Sequence, residues 1–316
     1  MEQHDYVNRS ALLEPKTGVL FTDFIKKTIA RKSRHMGESY GKNYQTLIYH
    51  LKKFSRIYNA TIYTESVSCE FGYDFIEYLE NENLRCAYIK YILDLIRAMI
   101  RKAAISGYAV DPSHDEIDIR TEEQFSIYLS ENDIARIYYF KGLSKANERI
   151  RDLFVIGCTS SLRYSDYSTL DQSNFQNGFI RKITKKTNTE VVIPVHGFIG
   201  EIFNKYGGEL RFGLSIQYFN RAVKKICKQI GFTDEISFSY TKGGKLIKET
   251  KPEWQLISSH TARRSAVTNL YLTGRMKVRE IMEISGHKDE KSFYRYVKVT
   301  KNEIATKLNS DIFFRI

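Results

Sequence analysis

Residues 259–272, SHTARRSAVTNLYL, read as a helix from about His260 to Leu272, with Ser259 ahead of it as an N-cap. His260 and Arg263 stand at i and i+3 and share a face, while Ala262, Ala266 and Leu270 suit core contacts. A histidine and an arginine at a helix N-terminus suit an oxyanion, because free N–H groups and the helix dipole favour negative charge there. The competing reading is a basic surface turn. Three other segments pose the same choice. In Leu162-Arg163-Tyr164-Ser165-Asp166, Arg163 follows an apolar helix and the small-residue turn Cys158-Thr159-Ser160-Ser161. A guanidinium held there can fork onto phosphate oxygens or pair with Asp166, and Ser165 or Asp166 can cap the next helix. In residues 185–194, KKTNTEVVIP, Lys186 lies at a hairpin tip, either a solvated turn or a general acid for a leaving alkoxide. In residues 285–297, SGHKDEKSFYRYV, His287 follows a helix-ending glycine. Tyr294 and Tyr296 there would face roughly opposite sides of a helix, so only one can enter a site.

Around these segments the second half is mixed. Ser130 caps a helix carrying Ile134, Ile137 and Tyr138, and a second helix over Ala146, Ile150, Leu153 and Phe154 ends near Gly157. Asn177-Gly178 turns into a strand, and Val191, Ile193 and Val195 alternate as another. Ser215 caps a helix with Ile216, Phe219, Val223, Ile226 and Ile230, Gly243-Gly244 marks a hairpin or loop, and another helix starts near Lys277. The first half reads as four amphipathic helices. Their apolar faces are Phe21/Phe24/Ile25/Thr28/Ile29, Tyr44/Leu47/Ile48/Leu51/Phe54/Tyr58, Phe71/Phe75/Tyr78/Leu79 and Leu84/Tyr88/Tyr91/Leu95/Met99/Ala103. The polar, acidic stretch before Thr121, with Pro112, breaks this pattern. The expected division is a tail at 1–18, a helical domain at 19–107, a linker at 108–120 and a second, mixed domain at 121–316.

The net charge of +12 points to a polyanionic partner, nucleic acid or an acidic membrane surface. By count, about 17 basic residues face about 16 acidic ones before Thr121, and about 32 face about 21 after it, so the excess belongs to the second half. The first half adds a local basic run, Lys26, Lys27, Arg31, Lys32 and Arg34, either phosphate contacts or a solvated helix face. No run of about 18 apolar residues occurs, and the N-terminus does not read as a signal peptide. The four cysteines form no metal-binding spacing and read as reduced thiols.

Taken in order, Leu162-Arg163-Tyr164-Ser165-Asp166, Lys186 before Ile193-Pro194, His260-x-x-Arg263, Gly286-His287 and Tyr296 resemble the tyrosine recombinases. The likeness runs from about residue 121 to the end and is closest to the integrases and invertases of bacterial mobile elements. It implies a mainly α fold with small β elements, a helical core-binding (SAM-like) domain followed by a mixed α+β catalytic domain. It also implies roles. Tyr296 attacks the scissile phosphate to form a 3′-phosphotyrosine, Arg163 and Arg263 clamp the nonbridging oxygens, and Lys186 protonates the leaving 5′-oxygen. His260 takes the tyrosine proton, and His287 donates a hydrogen bond to the phosphate. No metal and no cofactor are called for. The implied partners are double-stranded DNA, three further copies in a tetrameric synaptic complex, and accessory DNA-bending factors, in the cytoplasm at a bacterial nucleoid. Ile304, Leu308, Ile312 and Phe313 form an apolar stripe that would dock in trans on a neighbouring copy or pack on its own core. The family often has glycine where Ser161 stands. Only about twenty residues precede the first helix, too few for an arm-binding domain, which favours simple recombination sites. A type IB topoisomerase and a catalytically silent DNA-binding protein are the alternatives.

Overall fold

The computed structural model describes residues 17–36, 39–117, 119, 122–309 and 313. It divides into two compact units, the described residues up to Gln124 with Ser239–Lys248, and the remainder from Phe125 onwards.

The first unit is built on α1 (Phe21–Met36), α2 (Ser39–Tyr58), α3 (Cys69–Asn81) and α4 (Cys86–Ile105). Phe54 sits at its centre, with ring centroids 5.3–5.5 Å from Phe71, Phe75 and Tyr78. The buried face of α4 is Ile89, Ile92, Leu93, Ile96, Met99, Ile100 and Ala103. The expected stripe met it only in part, and Tyr91 is exposed. Nearly every side of this helix is apolar, so periodicity alone leaves the inward face open. The stretch read as a linker is folded onto this unit. Asp111 caps a 3₁₀ turn over Pro112–Glu116, and Ile117 is buried. A Cβ at Gly72 would come within 2.5 Å of the Ile117 side chain, so α3 needs glycine where Ile117 docks. The tip of a long hairpin completes the unit. Gly243 N–H donates to the Leu84 carbonyl at 3.0 Å, and the Arg85 guanidinium lies 3.9 Å from the Tyr240 ring centre.

In the second unit, in chain order, α5 (Glu131–Tyr139), α6 (Lys145–Ser160) and α7 (Tyr164–Tyr167) lead into β1 (Phe175–Gln176), β2 (Phe179–Ile183) and β3 (Glu190–Pro194). There follow α8 (Gly197–Lys205), α9 (Ile216–Ile230), the hairpin strands β4 (Glu235–Lys242) and β5 (Lys245–Pro252), whose tip Ser239–Lys248 belongs to the first unit, and then α10 (Glu253–Leu256) and α11 (Ser259–Leu272). The chain closes with α12 (Val278–Ser285), α13 (Glu290–Tyr294) and α14 (Lys301–Asn309). Local chemistry sets most boundaries. Ser130 and Asp133 form a reciprocal capping box, Ser215 caps α9, and Gly231 ends α9 in the left-handed conformation. Asn177 and Gly178, both at positive φ, make the tight turn between β1 and β2. The three strands form an antiparallel sheet in the order β1-β2-β3, with Ile180 opposite Ile193.

The central element is α6, buried from Ile150 to Cys158 and packed along α11 with α5, α8 and α9 around it. It does not end at Gly157. That glycine is the point of close approach, since a Cβ there would lie 2.7 Å from the Tyr167 ring and 3.1 Å from Ala262 Cβ. α9 buries Phe219, Val223, Ile226 and Ile230 against this core, each contributing about 1.5–3 kcal/mol. Among the described residues no helix is long and apolar enough to cross a membrane.

Candidate active site

The site lies within the second unit, where the C-terminal end of α6 meets α11 and α12. α6 stops at Ser160, and Ser161 takes the left-handed conformation (φ 59°, ψ 3°) that glycine adopts at less cost. The turn leaves Arg163 extended ahead of α7 and aims the Ser161 carbonyl at Arg263, whose Nη1 donates to it. Arg263 is 1 % exposed. Its Nη2 donates to the Ser285 carbonyl at 2.8 Å and lies 3.0 Å from His287 Nε2. Its Nε and the Nη1 of Arg163 are buried with no hydrogen-bond partner. Among the described residues neither guanidinium has a carboxylate within ion-pair distance. Buried N–H donors are normally satisfied, so two cations that keep unspent donors form a receptor for an oxyanion.

α11 begins one residue earlier than expected. Ser259 is its first residue and Ser258 the cap, with Ser258 N–H donating to Thr261 Oγ1 at 3.0 Å. His260 lies on the first turn, partly exposed. Partial burial, followed by the charges of Arg264, Arg263, Arg163 and Lys186, holds its imidazole below the ordinary histidine value, so it stays neutral and able to take a proton. Lys186 is exposed on the turn between β2 and β3.

That turn is anchored by a residue offered above only as a cap or as the partner of Arg163. Asp166 is fully buried, and its Oδ1 accepts from Lys185 N–H at 2.9 Å, tying the Lys186 turn to the Arg163 turn. The alternative Arg163–Asp166 ion pair is not formed.

Gly286 ends α12 at φ 66°, and the His287 N–H returns to the Met282 carbonyl at 3.0 Å. His287 is 8 % exposed, and burial, then Arg263 and Arg163, push its pKa down to about 3 against the opposing pull of Asp289. Burial and the Arg163 charge also lower Arg263, to about 10, with Tyr296 and Asp166 opposing. Tyr296 is not on a helix. α13 stops at Tyr294, and Tyr296 lies in the turn beyond, with its N–H on the Phe293 carbonyl and its carbonyl accepting from Thr268 Oγ1 at 3.1 Å. Its ring centre is 5.0 Å from the Arg263 guanidinium and 4.9 Å from the His287 ring, whereas Tyr294 is 46 % exposed. Arg263, His287 and Tyr296 are thus in mutual contact. Arg163 bears electrostatically on Arg263, and Lys186 on His260.

The basic run lies on α1 of the first unit. Lys26, Lys27, Arg31 and Lys32 are exposed, with Lys26 paired to Asp23 at 2.8 Å, and the Arg34 side chain falls outside the described residues. In the C-terminal stripe Ile304, Leu308 and Phe313 are 48, 43 and 74 % exposed, and Ile312 lies outside the described residues.

Residues 128–303 match the model of the phage integrase family, and residues 20–117 match that of the phage integrase SAM-like domain. No curated protein matches the chain by sequence. Among solved structures, the Tn1549 transposon integrase in complex with transposon right-end DNA aligns at TM-score 0.70 and 12 % identity, over 92 % of this chain and 99 % of that one. A lambda integrase tetramer bound to a Holliday junction aligns at TM-score 0.62 and 17 % identity, over 90 and 79 % of the two chains. The XerH site-specific recombinase bound to palindromic difH substrate aligns at TM-score 0.62 and 13 % identity, over 90 and 83 %. At these identities the likeness is one of fold.

Proposed function

This chain belongs to the phage integrase family, and we propose that it is a tyrosine recombinase that cuts and rejoins DNA at specific sites through a phosphotyrosine on Tyr296. The observation that carries this reading is the phenol of Tyr296 beside a buried guanidinium, with unpartnered donors on both Arg163 and Arg263. Phosphoryl transfer to a tyrosine needs charge relief on the nonbridging oxygens, a base for the phenol and a proton for the leaving 5′-oxygen. Arg163 and Arg263 supply the first. His260, kept neutral by partial burial and then by its cationic neighbours, is the base. Lys186, on a turn anchored through Asp166, is the acid. His287 lies against both Arg263 and Tyr296. Bond energy is held in the phosphotyrosine, so rejoining needs no external energy source.

Double-stranded DNA is the substrate and other copies of the chain are the partners. The solved complexes of like fold hold DNA, one of them as a tetramer. Ile304, Leu308 and Phe313, exposed on a single chain, suit docking in trans on a neighbouring copy in a synaptic tetramer. The basic face of α1 adds phosphate contacts, so binding weakens with salt. Accessory DNA-bending factors and action on nucleoid DNA fit the same reading, as does the expected division into a DNA-binding and a catalytic domain, with the boundary near residue 121.

The test is covalent trapping. Nicked fragments from beside the chain's own gene are incubated with the protein and denatured. An adduct formed by the parent and lost in Tyr296→Phe supports the assignment, and an adduct that survives in Tyr296→Phe rules it out.

A further inference from the structure

We propose that Ser285 is a positioning residue of this site: its hydroxyl holds His287 in the tautomer with hydrogen on Nδ1, so that Nε2 accepts from Arg263. The inference rests on the reading of Arg263 as a phosphate-binding group. A guanidinium can only donate. Nη2 of Arg263 lies 3.0 Å from His287 Nε2, so Nε2 must present a lone pair. A neutral imidazole with a bare Nε2 carries its hydrogen on Nδ1. Nδ1 is 2.7 Å from Ser285 Oγ, which therefore accepts, and the Ser285 hydrogen goes to the Ile281 carbonyl 2.6 Å away. The donors run in one direction, from Arg263 to His287 to Ser285 to the turn of α12. Reversing any link would set two hydrogens against each other at the guanidinium.

Ser285 therefore grips Arg263 twice, directly through its carbonyl at 2.8 Å and indirectly through His287. The charged groups facing the imidazole are Arg263 from α11, Arg163 from the turn before α7 and Asp289 from its own loop, with the rings of Phe293 and Tyr296 enclosing it. Two cations against one carboxylate favour the uncharged ring. In this state neither ring nitrogen has a hydrogen to offer a phosphate.

The experiment reads the tautomer directly. The full chain, with its seven histidines ¹⁵N-labelled, is examined by long-range proton–nitrogen correlation, and His287→Gln identifies the signal. The expected spectrum has His287 protonated on Nδ1 and bare on Nε2. In Ser285→Ala the signal moves toward the ordinary tautomer mixture, and adduct formation slows roughly three- to tenfold, the worth of one hydrogen bond. Ser285→Thr restores both. A parent His287 protonated on Nε2 overturns the proposal, even if no variant folds. So does a Ser285→Ala protein with an unchanged tautomer or an unchanged rate. If the parent forms no adduct on any DNA, the recombinase reading fails, while the tautomer still decides the role of Ser285.

Discussion

In the first unit Phe54 lies against three other rings, and the central groups are apolar. In the second, the largest fully buried side chain is a cation, Arg263, held by two carbonyls and an imidazole and pressed toward a second cation. One core spends its interactions on stability and the other leaves some unspent around a single point. The two arginines separate these uses most sharply. Arg263→Ala removes an oxyanion donor and strands the Ser161 and Ser285 carbonyls. Adduct formation should fall about 10³-fold, and stability should drop by about 1–3 kcal/mol. Arg163→Ala should cost about as much activity. Its buried Nη1 has no partner to lose, and its charge repels the buried cation of Arg263, lowering that group's pKa, so thermal unfolding should occur at an unchanged or higher temperature. Single-turnover trapping and melting curves on the two variants test the contrast, and a large loss of stability in Arg163→Ala would break it.

Phe75→Ala asks the same question of the other core. Emptying a fully buried ring position beside Phe54, Phe71 and Tyr78 should cost about 3–5 kcal/mol in urea unfolding. The single-turnover rate at saturating DNA should not change. Gly157→Ala lies between the two cases. Its new methyl meets Tyr167 and Ala262, so it should destabilise by about 1–3 kcal/mol. Because it prises α6 from α11, it should also slow adduct formation, unlike Phe75→Ala.

The same contrast explains what could be read in the chain. Features set by neighbours in sequence were legible, such as the Ser130–Asp133 box, the Asn177-Gly178 turn and the Ser215 cap. The four first-unit helices followed from periodicity, except for the inward face of α4, which an almost wholly apolar helix does not declare. Gly157 looked like a helix end because glycine usually weakens a helix, whereas its role is set by Tyr167 and Ala262 on other elements. Asp166 and Ser285 escaped notice as site residues for a related reason. Their partners, Lys185 and Arg263, lie 19 and 22 residues away and become neighbours only in the folded unit. Of the six candidate residues, Arg263, His287 and Tyr296 touch one another in the fold, while Arg163, Lys186 and His260 are linked to them here through charge.

The acid limb of stability should belong to the second unit. A histidine whose pKa is depressed on folding binds its proton more readily in the unfolded chain. Its contribution is therefore complete above the ordinary value of 6.5 and is lost as pH falls toward about 3. The slope due to His287 is at most about 1.4 kcal/mol per pH unit. Chemical denaturation between pH 7 and pH 4 should show the midpoint falling, and His287→Gln should flatten that fall. A slope that survives the substitution would assign it to other groups.

The smallest effect tests the left-handed turn. Ser161 holds φ 59° with its hydroxyl buried and unpartnered, a backbone that costs an ordinary residue about 1–2 kcal/mol. Ser161→Gly relieves that strain and removes the stranded hydroxyl, but it frees the unfolded chain by somewhat less than 1 kcal/mol. The net change should be a gain of about 1 kcal/mol in thermal or urea unfolding. The acceptor for Arg263 is the main-chain carbonyl, which the substitution keeps, so adduct formation should be unchanged. If glycine instead slowed the reaction at unchanged stability, the Ser161 hydroxyl itself would be at work in the site, and the open polar surface of this unit would extend one residue further than the guanidinium donors.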